Sequence, residues 1–179
     1  RPAPKPFWRL ILVALCMGAG SFAFVFLALK TASPSSVAIV SQLMVPMTTV
    51  LSFLILRERL SRRRLTGIAL TLLGALAVMW DPNGFKISEG LVFVVASAFL
   101  GSLGAVLMKG MEGVKPLQFQ AWVGLLSALL LSVLSGVLEP DALQAGLSMG
   151  WQFWVAVVFS GLIVSVCGHT AYYGLIQRY

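Results

Sequence analysis

Charge is what this chain of 179 residues has least of: 11% of its residues are Asp, Glu, Lys or Arg, where soluble domains carry about 25%. With 59% hydrophobic residues and a mean hydropathy of +0.94, there is too little polar surface to cover a soluble core. The composition is that of an integral membrane protein. Six carboxylates occur, Glu58, Asp81, Glu89, Glu112, Glu139 and Asp141, and each falls in a loop or at the end of an apolar run. No paired acid is therefore available inside a membrane segment for proton-driven chemistry or intramembrane proteolysis. No HExxH, GxSxG, phosphate-binding loop or dinucleotide fingerprint occurs either, so the chain reads as a non-enzyme that needs no cofactor. Histidine occurs once, at 169, and cysteine twice, at 16 and 167. Their spacing fits no metal or redox motif, so no metal site is expected and both cysteines read as small packing residues. The net charge of +7 comes without interleaved aromatics, a reading helix or a zinc pattern, which removes nucleic acid as a partner.

What the chain does have is long uncharged runs, at 10–29, 31–56, 65–80, 90–108, 116–138 and 142–177. A bilayer core about 30 Å thick takes about 20 residues of helix, and runs of this length without alternation exceed a barrel strand of about 10 residues. The fold class that follows is an all-α integral membrane protein, a polytopic bundle of six transmembrane helices. The third run is the shortest, flanked by Arg64, which can snorkel, and Trp80, which suits the interfacial belt. Ser33-Pro34 reads as N-cap and first residue of the second helix, Lys115-Pro116 starts the fifth, and Ser88 can cap the fourth. "DPNG" at 81–84 is a turn and "EPD" at 139–141 closes the fifth helix. The last run is too long for one span, so 142–150 is expected to be loop, with the sixth helix starting near Trp151. The chain opens on Arg1 with no cleavable signal peptide before the first run, and is expected to be a fragment.

The stretch 57–64, RERLSRRR, places five arginines and one glutamate between two apolar runs. Counted over alternate sides of the six spans, eleven of the thirteen Lys and Arg residues fall on one face, leaving Lys30 and Lys86 on the other. That asymmetry is the positive-inside signal. It puts the start of the chain and the arginine knot in the cytoplasm, for a multi-pass protein of the cell's inner membrane. An arginine at mid-bilayer costs about 2.5–3.5 kcal/mol on insertion scales, so the knot is a topology determinant that also meets lipid headgroups.

Polar residues inside spans face a bundle interior or a wet cavity. In the second span Ser41 or Gln42, Thr48 or Thr49, and Ser52 recur at helical spacing around Pro46, where the helix is expected to bend. Ser and Thr can also bond their own backbone; Gln42, the costliest of these to bury, reads as cavity lining. In the sixth span Ser165, His169, Tyr172 and Tyr173 share one side of a helix. His169 is either a satisfied packing residue or a group that binds a polar substrate or changes protonation during transport. The residues expected to bind substrate are Gln42, Thr49, His169 and Tyr172, with Gln120 and Trp122 behind them. Gly67 with Thr71 and Gly74, Ser97 with Gly101 and Ala105, and Gly18 with Gly20 read as close helix contacts. Phe22, Phe24 and Phe26 are assigned mostly to lipid.

The stretch "VAIVSQLMVPMTTVLSFLILRERLSRRRLTGIALTLLGALAVM", residues 37–79, combines an apolar helix with a mid-helix proline, a glutamate followed by "RLS", and a glycine-punctuated helix. It resembles the EamA-type transporters of the drug/metabolite transporter superfamily, and "GHTAYYGLIQRY", residues 168–179, resembles the segment before that family's next proline-containing helix. The resemblance implies ten helices in two inverted five-helix repeats with a substrate cavity between them. The six spans would be helices three to eight, with 1–83 closing the first repeat, 84–179 opening the second, and the first and sixth spans as equivalents. Pro46 and Glu58 match the family motif as structural positions, while Arg57 stands where the family commonly has glycine. The function implied is secondary transport of small metabolites or drugs by alternating access, with export favoured over uptake. A noncatalytic membrane scaffold or assembly subunit is the alternative. Expected partners are the lipid bilayer, a small-molecule substrate and, as a further option, a second copy of the chain in a homo-oligomer.

Overall fold

The computed structural model describes residues 7–57, 61–79, 89–111 and 115–178. Helices dominate, and the fold is a multi-pass bundle. We number them α1 (Phe7–Leu29), α2 (Pro34–Leu56), α3 (Arg62–Met79), α4 (Glu89–Lys109), α5 (Pro116–Leu138), α6 (Ala142–Ser148) and α7, a continuous rod made of Trp151–Phe159, Ser160–His169 and Thr170–Arg178. Local chemistry sets the starts. The Ser33 hydroxyl accepts from the Ser36 N–H at 3.2 Å while Pro34 occupies the first helical position, and Lys115 is extended ahead of Pro116. Glu58, the proposed cap at Ser88 and the "DPNG" turn lie outside the described residues.

Among the described residues, five helices are long and apolar enough to cross a membrane, rather than six: α1, α2, α4, α5 and the part of α7 over Trp151–Leu175. In α3 the first turn holds Arg62, Arg63 and Arg64, leaving an apolar stretch of 13 residues, Leu65–Ala77. Packing still sends α3 from one end of the bundle to the other. A side chain at Gly90 would run into Ala28 and Ala32, so α4 begins beside the end of α1. The Arg9 guanidinium donates to the Gly110 carbonyl at 2.9 Å, so α4 finishes beside the start of α1. Because α2 runs back from Pro34 to Leu56, the chain returns across the bundle between Leu56 and Glu89. Helix α3 covers about 27 Å of that distance at 1.5 Å per residue. The segment 142–150, expected as loop, contains the seven-residue helix α6 before Trp151 opens α7.

Buried side chains form two clusters at opposite ends of the central helix α4. Leu10, Val13 and Met17 of α1 meet Ala105 and Met108 of α4, Phe119 and Val123 of α5 and Tyr173 of α7. At the other end Ala28 of α1, Val37, Val40 and Leu43 of α2 and Ala75 of α3 surround Leu91, Val94 and Ala98 of α4. Met44 touches both. The outer faces carry large exposed apolar side chains, Leu70, Val133 and Val137 among them; in hydrocarbon there is no driving force to bury them.

Small residues bring α1 and α4 together. A Cβ added at Gly104 would lie 2.5 Å from Met17 Cβ and 2.9 Å from Met17 N, a backbone-on-backbone approach that only glycine permits. One turn or two away, Ser21 and Ser97 exchange hydrogen bonds: Ser21 Oγ donates to the Ser97 carbonyl at 3.1 Å and Ser97 Oγ to the Ser21 carbonyl at 2.8 Å. The Gly67 and Gly74 faces behave otherwise, with nothing within 4 Å of an added Cβ among the described residues. That pair is therefore no contact surface within the described bundle.

Candidate functional site

Proline dictates the shape of α2 at mid-depth. Pro46 has no N–H to offer the carbonyl four residues back, Gln42, and its ring crowds that carbonyl. The helix breaks there: Pro34–Ser41 and Met44–Leu56 are separated by Gln42 and Leu43. Tight three-residue hydrogen bonds replace the lost one, from Gln42 N to Ile39 O, Leu43 N to Val40 O and Val45 N to Gln42 O. Across the bundle, Ser102 Oγ donates to the Met44 carbonyl at 2.9 Å, tying the break to α4. The expected bend is thus a two-residue break lying four residues before the proline.

Helices α1 and α7 are locally widened. Residues Ala14–Gly20 form a π-helical stretch in which the Ser21 N–H reaches the Cys16 carbonyl, and Ser160–His169 form another. Such stretches are rare and concentrate at functional sites. The first is wedged by α5, where Ser127 Oγ donates to the Ala14 carbonyl at 3.4 Å and fills the space a side chain at Gly18 would need.

Between these irregular segments lies a cavity of about 880 Å³, walled by α1, α2, α5 and α7 with Gly101 of α4 at its back. Gln42, Thr49, His169 and Tyr172 all line it, as do Ser165 and Tyr173 of the same α7 stripe. Gln120 lines it as well, whereas Trp122 packs against the cluster around Leu10 and Phe119. Pro46 is buried behind the wall. Ser41, Thr48 and Thr49 donate to the carbonyls of Val37, Met44 and Val45 one turn back, which is the backbone-bonding option for those hydroxyls. All three residues line the cavity.

Sequence reasoning missed Phe22 and Phe26, assigned to lipid. They line the cavity and stack at 6.4 Å, and their i, i+4 spacing was the available signal. Phe24 stacks on Phe93 instead, at 5.9 Å. His169 sits in an aromatic group, edge-on to Phe22 at 6.1 Å and face to face with Tyr173 at 6.2 Å. Ser21 and Ser127, lining residues too, were not singled out because a lone serine in an apolar run carries no pattern. The walls are mainly apolar with scattered polar groups, the usual make-up of a small-molecule site. No cluster of three or more His, Cys, Asp or Glu side chains able to hold a metal occurs among the described residues.

Two ends of the bundle are marked by polar ties. Arg9 and Gly110 are joined at one, and Lys30, just past α1, pairs with Glu139, just past α5, at the other. The cavity lies between them.

Comparison with known proteins adds a similarity over part of the chain. Residues 1–80 match the EamA-like transporter family. Over 98% of its length the chain is 27% identical to a protein of Salmonella typhimurium named "probable amino-acid metabolite efflux pump", of which it spans 62%. No solved structure matches. The family match thus covers the stretch that holds the proline-containing helix and the "RERLS" segment, and over residues 1–80 the chain is similar to EamA-like transporters.

Proposed function

We propose that the chain is a transport unit that moves a small metabolite or drug across the inner membrane by alternating access, in the direction of export. The observation that carries this reading is one mid-depth cavity with walls from both the first half of the chain (α1 and α2) and the second (α5 and α7). Broken and widened helices around a central site are the means by which membrane carriers expose polar groups to a solute. Gln42, Thr49, His169 and Tyr172 are assigned to substrate, with Pro46 holding the break. The assignment to export follows the similarity to the named efflux pump of Salmonella.

Two inverted repeats, 1–83 and 84–179, would supply the two walls. The π-helical stretches in α1 and α7, the two spans expected to be equivalent, support that division. The arginine knot, with the positive-inside count, favours a cytoplasmic start to α1. A seam filled by side chains would favour a scaffold; a cavity of this size favours a carrier. No catalytic role is assigned to any residue.

The test is a whole-cell efflux and uptake panel on the full chain, comparing wild type with Gln42→Ala and His169→Ala. Flux of at least one compound is expected to fall about tenfold or more in each variant, corresponding to a lost buried polar contact. Unaltered flux for every compound in both variants would remove the site. Membrane-impermeant labelling of cysteines placed at Arg63 and Gln144 is expected to modify the second from outside and the first only from the cytoplasm.

A further inference from the structure

A second space adjoins the cavity, on the way to the end of the bundle marked by Lys30 and Glu139. Ser127 of α5 fills the room that a side chain at Gly18 would need and bonds the Ala14 carbonyl, so α1 and α5 touch at mid-depth. Further along they leave a gap. Between Ala23 and Lys30 on one side and Leu131 and Glu139 on the other lies a pocket of about 320 Å³, about 10–12 Å long at 1.5 Å per residue. That volume suits a small molecule. Phe26 and Leu131 line both this pocket and the 880 Å³ cavity, so the two spaces meet across those two side chains. Phe26 is 57% exposed, and a side chain so loosely packed can change rotamer without moving its helix. At the far end the Lys30–Glu139 ion pair spans the pocket. Both side chains are about half exposed, and an ion pair in that setting is a weak tie. It can open readily.

We propose that this pocket is the vestibule through which the solute leaves, with Phe26 and Leu131 as its inner door and the Lys30–Glu139 pair as a latch across its outer mouth. The inference rests on the transport reading above and adds a route to it. Helix α2 carries the chain from Pro34, next to this end, back to Arg57 and the arginine knot, so a cytoplasmic knot puts the latch outside. Between door and latch the walls are mainly apolar, with Leu27 on α1 and Leu134 and Leu138 on α5. A solute with polar groups finds little to hold it there, and a passage must bind weakly enough to let its cargo go. The pocket suits transit rather than storage.

Passage can be read without knowing the solute. In the full chain with Cys16 and Cys167 replaced by serine, His169→Cys places one thiol in the cavity, and a charged methanethiosulfonate reagent that cannot cross the membrane is added outside intact cells. The modification rate is scaled to the amount labelled after denaturation in SDS. Ser135→Trp and Ala23→Trp, which fill the pocket from its two walls, are each expected to slow that rate about tenfold. Val137→Trp, on the exposed outer face of α5, is expected to leave it unchanged. Lys30→Ala, which removes the latch, is expected to raise it about two- to fivefold. Rates in the two pocket variants equal to that of Val137→Trp overturn the route, and a rate unmoved by Lys30→Ala overturns the latch. Bridging Lys30→Cys to Glu139→Cys with a bifunctional methanethiosulfonate is expected to cut efflux about tenfold or more, with recovery in dithiothreitol; undiminished efflux through the bridged pair overturns the gate. If the route fails while Gln42→Ala and His169→Ala still lower flux, the transport cavity stands and the solute leaves another way. If those two variants leave flux unaltered, the transport reading falls and the exit assignment with it.

Discussion

Replacing Gly104 by alanine places a methyl group where the backbone of α1 already is. The new Cβ would sit 2.5 Å from Met17 Cβ, 2.9 Å from Met17 N and 3.1 Å from Met17 Cα, against an ordinary carbon contact of about 3.5–4.0 Å. Backbone atoms cannot rotate away, so α1 must recede by about 1 Å. Overpacking of that kind costs about 1–3 kcal/mol. The same displacement stretches the reciprocal Ser21–Ser97 bonds, and interhelical hydrogen bonds in a membrane are worth about 0.6 kcal/mol on average. Better helix propensity returns up to about 1 kcal/mol, leaving a net loss of about 1–3 kcal/mol. Gly67→Ala is the control, since nothing described lies within 4 Å of its added methyl; it should gain between 0 and about 1 kcal/mol. Unfolding by SDS titration in mixed micelles, followed by far-ultraviolet circular dichroism, reads both. A Gly104→Ala protein as stable as Gly67→Ala would refute the close approach of α1 and α4 on which the back of the cavity depends.

Arg57, just past the end of α2, adopts a left-handed backbone at φ 55°, ψ 33°, where an L side chain costs about 1–2 kcal/mol. Arg57→Gly should therefore raise the unfolding free energy read from the same titration by about 1 kcal/mol, and no gain would contradict that geometry. Ser97→Ala removes the bond from Ser97 Oγ to the Ser21 carbonyl while the Ser97 carbonyl keeps its bond from Ser21 Oγ, and should lower stability by about 0.5–1 kcal/mol, measured the same way. Lys30→Ala or Glu139→Ala breaks an ion pair whose side chains are about half exposed; the loss should stay below about 1 kcal/mol and fade in high salt. A larger, salt-independent loss in those variants would mean the pair is shielded from solvent.

The sequence showed helix starts better than helix interiors. Pro34, Pro116 and Trp151 mark starts that the structure keeps, because proline and interfacial tryptophan act locally. The short α6 escaped notice because seven residues of "ALQAGLS" are too few to show a period. Widened turns in α1 and α7 leave no mark that a 3.6-residue period can reveal, yet the α7 stripe of Ser165, His169, Tyr172 and Tyr173 still reaches one cavity. Small-residue pairs were ambiguous for a physical reason: Gly104 and Gly67 look alike in a chain, and only the neighbour's backbone distinguishes a contact from an open face. Phenylalanine is equally mute. Phe22 and Phe26 line a cavity with the same residue type that elsewhere meets lipid. Gln42, Thr49, His169 and Tyr172 were legible as neighbours because polar atoms in hydrocarbon need a reason to be there.

The account depends most on the cavity being open to water and solute. With Cys16 and Cys167 replaced by serine in the full chain, a single cysteine placed at His169 should react with a charged methanethiosulfonate reagent, and one placed at Val133 on the lipid face should not. Equal protection of both positions would contradict the cavity and the transport function built on it.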